Sequence, residues 1–135
     1  MTAPRRIWID TDTASDDAVA ILMALKHEAT EVVGISVVAG NVPLHEATQN
    51  ALYTVELAGA TTPVHVGAER SLVRPYTTAQ FVHGDDGMGD IGLPLSGRTP
   101  ASHDGVQELI EAFRSAPGAI DLVALGPLTN VALDR

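Results

Sequence analysis

Ile7-Trp8-Ile9-Asp10-Thr11-Asp12-Thr13-Ala14-Ser15-Asp16-Asp17-Ala18-Val19-Ala20-Ile21-Leu22-Met23-Ala24-Leu25 decides the fold. Three apolar, β-prone residues come first, four acids then fall within eight positions, and an unbroken apolar run from Ala18 to Leu25 follows. That order predicts a strand passing into a buried helix over Asp16 to Glu28. The alternation continues outward. Val32 to Val38 is rich in β-branched residues and closes on Ala39-Gly40-Asn41, a turn sequence leading into a second helix. In that helix Leu44, Ala47, Ala51, Val55 and Ala58 step by three and four along one stripe, and Gly59 is its C-terminal stop. Pro63 to Val66 predicts a short third strand. Val106, Leu109, Ile110 and Phe113 mark a third amphipathic helix ended by Ser115-Ala116-Pro117-Gly118, and Ile120 to Leu125 a fourth strand. Repeated strand and helix units specify an α/β fold with a doubly wound, mostly parallel, Rossmann-like sheet. Gly67 to Pro100 breaks the rhythm: it has no period, six glycines and three prolines, and predicts a long irregular excursion of the size that is usually functional or disordered. Beyond strand four, Gly126 to Leu133 reads as the opening of another helix, so residues 1–135 read as the first part of a larger sheet.

Composition narrows the partners. The 135 residues carry 17 acids against 8 basic side chains, a formal charge of -9, and are 45% hydrophobic, which suits one globular domain and excludes a disordered chain. Lys26 and the arginines are scattered, so neither a nucleic-acid surface nor an anionic membrane is expected as a partner. The absence of cysteine removes disulfide frameworks, thiolate zinc sites and cysteine nucleophiles together. The apolar run from Ala18 to Leu25 is far short of the roughly 18 residues of a membrane span, and Met1 to Arg6 precedes no signal-type core, which reads as a cytoplasmic protein.

Asp10, Asp12, Asp16 and Asp17 lie where strand one passes into helix one, the edge at which open α/β sheets bind ligands. Asp10 and Asp12, two apart in extended chain, share a face, while Ser15 as an N-cap places Asp16 and Asp17 in the first helical turn. Acids in a first turn complement the helix dipole by about 0.3–1 kcal/mol each, which accounts for Asp16 and Asp17. It leaves Asp10 and Asp12, on a buried strand end beside two more negative charges. Such a cluster must protonate or bind a cation. Hard oxygen donors without cysteine select calcium or magnesium, and calcium, with about six to eight oxygens in loose geometry, is the better fit. A doubly wound sheet sets strand four beside strand one, so the carbonyl of Leu125 faces the crevice of Asp12 and Asp17; a plain buried strand end is the alternative for that residue.

Ile9-Asp10-Thr11-Asp12-Thr13-Ala14-Ser15-Asp16-Asp17-Ala18 resembles the aspartate-rich N-terminal motif of the inosine-uridine-preferring nucleoside hydrolases, with Thr13-Ala14 where many members have Pro-Gly. Val37-Val38-Ala39-Gly40-Asn41 resembles the family's second strand with its asparagine. His83-Gly84-Asp85-Asp86-Gly87-Met88-Gly89 resembles its histidine loop, and Leu125-Gly126-Pro127-Leu128-Thr129-Asn130 its strand-four exit. The resemblance implies a calcium-dependent N-ribosyl hydrolase that cleaves ribonucleosides to free base and ribose in nucleoside salvage or catabolism. Asp12, Asp17 and the main-chain oxygen of Leu125 would ligate calcium, and Asp12 would also be the general base on the attacking water. Asp16 and Asn41 would hold ribose hydroxyls, Asp10 would stand behind the ligands, and His83 would sit near the nucleobase with Phe81 and Met88 contributing to a mobile apolar cover. On spacing alone His83 is a loop histidine. The resemblance also implies that residues 1–135 are the N-terminal part of a single domain in a family more than twice this long. The remaining half would supply another calcium-binding aspartate, a histidine on the leaving-group side and contacts to the 5′-hydroxyl, and a complete chain would form a homodimer or tetramer.

Two other readings compete. Ile7 to Thr13 also fits the strand-end DxDxT motif of haloacid-dehalogenase-like phosphatases, with Asp10 as phosphoryl acceptor and magnesium as cofactor, but leaves Asp16-Asp17, Gly40-Asn41 and Gly126-Pro127 unexplained. A non-catalytic, truncated or partner-dependent module is the other, motivated by the uncapped end.

Overall fold

The computed structural model describes residues 2–134. Its elements run β1 Arg5–Thr11, α1 Ser15–Lys26, β2 Thr30–Val37, α2 Leu44–Leu57, β3 Val64–Val66, α3 Gln80–His83, α4 Gly105–Ser115, β4 Asp121–Ala124 and α5 Thr129–Leu133. The four strands form one parallel sheet in the order β3-β2-β1-β4. The expected α/β, doubly wound sheet is present, with strand four beside strand one.

Alternation along β1 sends side chains to two cores. Ile7 and Ile9 join Ile21 of α1 and Ala47, Ala51 and Val55 of α2, whereas Trp8 joins Leu109 of α4 and Ile120 on the opposite face. β2 keeps step through a bulge: Ile7 pairs with Val32 but Trp8 with Gly34, so one residue is skipped. Gly34 has to be small. A Cβ there would stand 2.3 Å from the Trp8 ring, which instead stacks on His65 of β3 with centroids 5.8 Å apart.

None of the helices among the described residues has a side-chain N-cap hydrogen bond, and their ends are met by backbone groups. Gly59, at φ +70, ends α2 by giving its N–H to Glu56 while Ala60 gives its own to Val55. In α1 the expected N-cap is corrected: Ala14, extended and without a side-chain cap, precedes the first helical residue, Ser15. The Ser15 N–H donates to the carbonyl of Gly87, so a distant loop satisfies one of the orphan donors that a side chain would otherwise cap. That loop belongs to the excursion over residues 67–100, which holds one short helical turn, α3, and is anchored to the fold. Gln49 of α2 exchanges two hydrogen bonds with the Arg98 backbone, and Leu95 and Gly87 are buried.

Candidate active site

The carboxyl ends of β1, β2 and β4 converge on Asp12. It is 4% exposed, and its Oδ2 accepts the Asn41 backbone N–H at 2.8 Å. Backbone closes around it on both sides. A Cβ on Gly40 would lie 2.3 Å from Oδ2, and one on Gly126 would lie 2.9 Å from the Asp12 nitrogen and 3.1 Å from Oδ1. These two glycines, one leaving β2 and one leaving β4, leave the space that the Asp12 carboxylate fills. Asp12 Oδ1 is buried and has no hydrogen-bond partner among the described residues.

Asp17 stands beside it at the start of α1, with Oδ2 accepting the Thr11 hydroxyl at 2.7 Å. Burial pushes the Asp17 carboxyl up to about 7, the Thr11 hydrogen bond opposes this, and the Asp12 and Asp16 charges add to it. Asp10 is fully buried. Burial raises its pKa first, Ser36 and Asn130 oppose, and Asp12 contributes a further rise. Its Oδ1 accepts the Ser36 hydroxyl at 2.5 Å and the Asn130 Nδ2 at 2.8 Å, while Oδ2 is orphaned. Ser36 in turn accepts the Trp8 indole N–H at 2.9 Å. Asn130 also donates to the Val37 carbonyl and accepts the Ala68 N–H, tying β1, β2 and the segment after β3 to α5.

The other residues singled out in the sequence distribute around this centre. Asp16 is exposed on the first turn of α1. Asn41 is half-buried, and the contact seen is its N–H on Asp12. Leu125 donates its N–H to the Asp10 carbonyl at 2.8 Å, which brings the β4 exit to the carboxylates. His83 closes α3 with Nδ1 3.5 Å from the Ser15 hydroxyl, so a residue 68 positions away reaches the aspartate turn. Met88 is half-buried and Phe81 is 89% exposed. Sequence reasoning missed Trp8, Ser36, Asn50 and Asn130 as polar supports. Only Asn130 had a signal, as the last residue of the quoted β4 exit.

No ion pair among the described residues offsets the cluster. Among the described residues the ion pairs Arg5–Asp121, Arg6–Glu31 and Arg98–Glu56 lie away from it. Nor does any group of three or more His, Asp or Glu side chains among those residues form a metal cage. The donors present are two adjacent carboxylates, Asp12 and Asp17, with an orphaned buried oxygen on Asp12 and a further one behind it on Asp10. Such hard, anionic, under-satisfied oxygens fit part of a calcium shell, the rest of which would come from main-chain oxygens, water or ligand. The phosphatase reading fails here. The acceptor it needs, Asp10, is 0% exposed and held by two hydrogen bonds.

The model of the family described as inosine-uridine preferring nucleoside hydrolase matches residues 7–134. The chain belongs to that family. It is 42% identical over 132 residues to "Probable uridine nucleosidase 2" of Arabidopsis thaliana, an alignment that covers 96% of this chain and 41% of the plant protein. Among solved structures, "Plant nucleoside hydrolase - PpNRh1 enzyme" superposes with a TM-score of 0.90 at 42% identity, covering 97% of this chain and 42% of that one. "Purine-Preferring Ribonucleoside Hydrolase from Gardnerella vaginalis" gives 0.87 at 30% identity, covering 96% and 42%. The chain thus spans about two-fifths of the length of the relatives it matches.

Proposed function

We propose that this polypeptide carries the metal and ribose side of a nucleoside hydrolase, which splits the N-glycosidic bond of a ribonucleoside to give free base and ribose. The observation that carries the reading is the buried carboxylate pair Asp12 and Asp17, with Asp12 set between the β2 and β4 exits and Asp17 on the first turn of α1 in a family-matched sheet. Asp12 and Asp17 would hold calcium together with the main-chain oxygen of Leu125. When bound, the cation supplies charge that lowers the pKa of water and anchors vicinal hydroxyls.

The chain's own residues do the rest. Asp12 takes the proton from the attacking water as general base, its Oδ2 held by the Asn41 N–H and its buried Oδ1 unpartnered among the described residues. Attack at the anomeric carbon passes through an oxocarbenium-like state, and the negative field of three buried carboxylates stabilises the positive charge that develops. Asp16, exposed at the mouth, and Asn41 hold ribose hydroxyls. Asp10 orients the turn from behind through Ser36 and Asn130. His83 faces the base side, beyond Ser15. Relatives are named for uridine and for purines alike, so both base classes are candidate substrates. The physiological role that follows is nucleoside salvage or catabolism in the cytoplasm.

A module without turnover of its own is the second reading. It draws on the two carboxylates being fewer donors than the roughly six to eight oxygens calcium takes. Ribose release from inosine and uridine by the purified protein separates the two. Turnover abolished by Asp12→Ala, expected to cost at least about 100-fold, supports the hydrolase; a folded protein with no turnover on either nucleoside supports the module.

A further inference from the structure

We infer that Asn50 is a positioning residue, which clamps the histidine loop onto the aspartate turn and so sets nucleoside affinity. Asn50 lies on α2, is 1% exposed, and ligates nothing in the site described above. Its Nδ2 donates to two main-chain carbonyls from different parts of the chain, Thr13 at 3.0 Å and Asp86 at 2.8 Å. One amide thereby spans the turn that carries Asp12 and the loop that carries His83. Gly87 fits against it: at φ +80, a Cβ there would lie 3.0 Å from Nδ2 and 2.8 Å from Val42 Cγ1. The same junction is where Ser15 N–H meets the Gly87 carbonyl and the Ser15 hydroxyl meets His83.

The choice of side chain argues for a role beyond packing. Two carbonyl acceptors fix the amide with both its hydrogens used, and Oδ1 is left buried without a partner among the described residues. An apolar residue of similar volume would avoid that orphan and suit the buried face of α2 better. What only an amide supplies here is a pair of donors aimed at two separate backbones. The loop has internal order of its own: Asp86 Oδ1 accepts Met88 and Asp90 N–H, and Asp90 accepts Asp85 and Asp86 N–H. Asn50 therefore places an already folded loop rather than folding it. Asp12 is held by the Asn41 N–H and closed in by Gly40 and Gly126, so release of the clamp should loosen residues 85–90 while leaving Asp12 in place.

The kinetic half of this inference rests on the hydrolase reading; the structural half does not, and the test separates them. Asn50→Leu fills the site and loses both donors, and Asn50→Ala is the second variant should the first fold poorly. Hydrogen–deuterium exchange is followed alongside KM and kcat on inosine. Loss of two hydrogen bonds should raise exchange at residues 85–90 by about tenfold or more with β1 and β2 unchanged, and raise KM about tenfold with kcat within about threefold. Faster loop exchange in a protein that hydrolyses no nucleoside would support the clamp and sink the hydrolase reading instead. Exchange that rises uniformly across the sheet, an unchanged loop, or a fall in kcat at constant KM would overturn the clamp.

Discussion

Gly40 is the residue through which the backbone sets the Asp12 carboxylate. With a Cβ 2.3 Å from Oδ2, Gly40→Ala forces either the carboxylate or the β2 exit to move. Overpacking of this kind costs about 1–3 kcal/mol of stability, read as a lower denaturant midpoint. A general base displaced by about 1 Å costs on the order of 100-fold in rate. The variant is therefore expected to lose far more turnover than stability, and a variant that kept full activity would show that Asp12 can move without consequence. Asp12 and Asp17 were legible as a candidate site because four acids at a strand-to-helix junction have few peaceful explanations. Their supports were not. Ser36 and Asn130 meet Asp10 across 26 and 120 residues, with the Trp8 indole donating to Ser36 behind them, and no local spacing announces contacts of that range.

At the scale of elements, strands and helices were readable because β-branched runs and three-four steps are local signals, and β2, α2 and α4 came out within about three residues. The failures had non-local causes. Ser15 was expected to cap α1 with its own side chain, but Gly87 supplies the partner for its N–H. α3 is a single turn, too short for any period to show. The Trp8–His65 stack crosses β2 over Gly34, which reads in sequence only as a glycine interrupting a strand.

That stack carries a pH dependence. Burial lowers the His65 pKa and the Glu108 charge partly opposes it, while Nδ1 lies 2.7 Å from the Ser102 hydroxyl. A folded-state pKa below the unfolded value near 6.5 means that the unfolded chain binds the proton first. Stability from this group is therefore fully present above about pH 6.5 and lost as the pH falls through the folded value. Thermal unfolding of the protein should decline more steeply from pH 7 to 5 than that of His65→Gln. Parallel declines would remove His65 from the account.

For the whole molecule, the order β3-β2-β1-β4 puts the first and central strand where the exits of two neighbours can close on its carboxylates. The relatives are more than twice as long, and the site here is a cluster of buried carboxylates. Three buried carboxylates at the turn from β1 into α1 oppose folding unless they protonate or a cation joins them, and the proposed function takes the second route. Ribose release from inosine and uridine after exhaustive chelation measures calcium dependence. Chelated protein is expected to be inactive, calcium to restore turnover, and Asp17→Asn to require at least about tenfold more calcium to do so. Turnover that persists undiminished in the chelated protein would contradict that dependence.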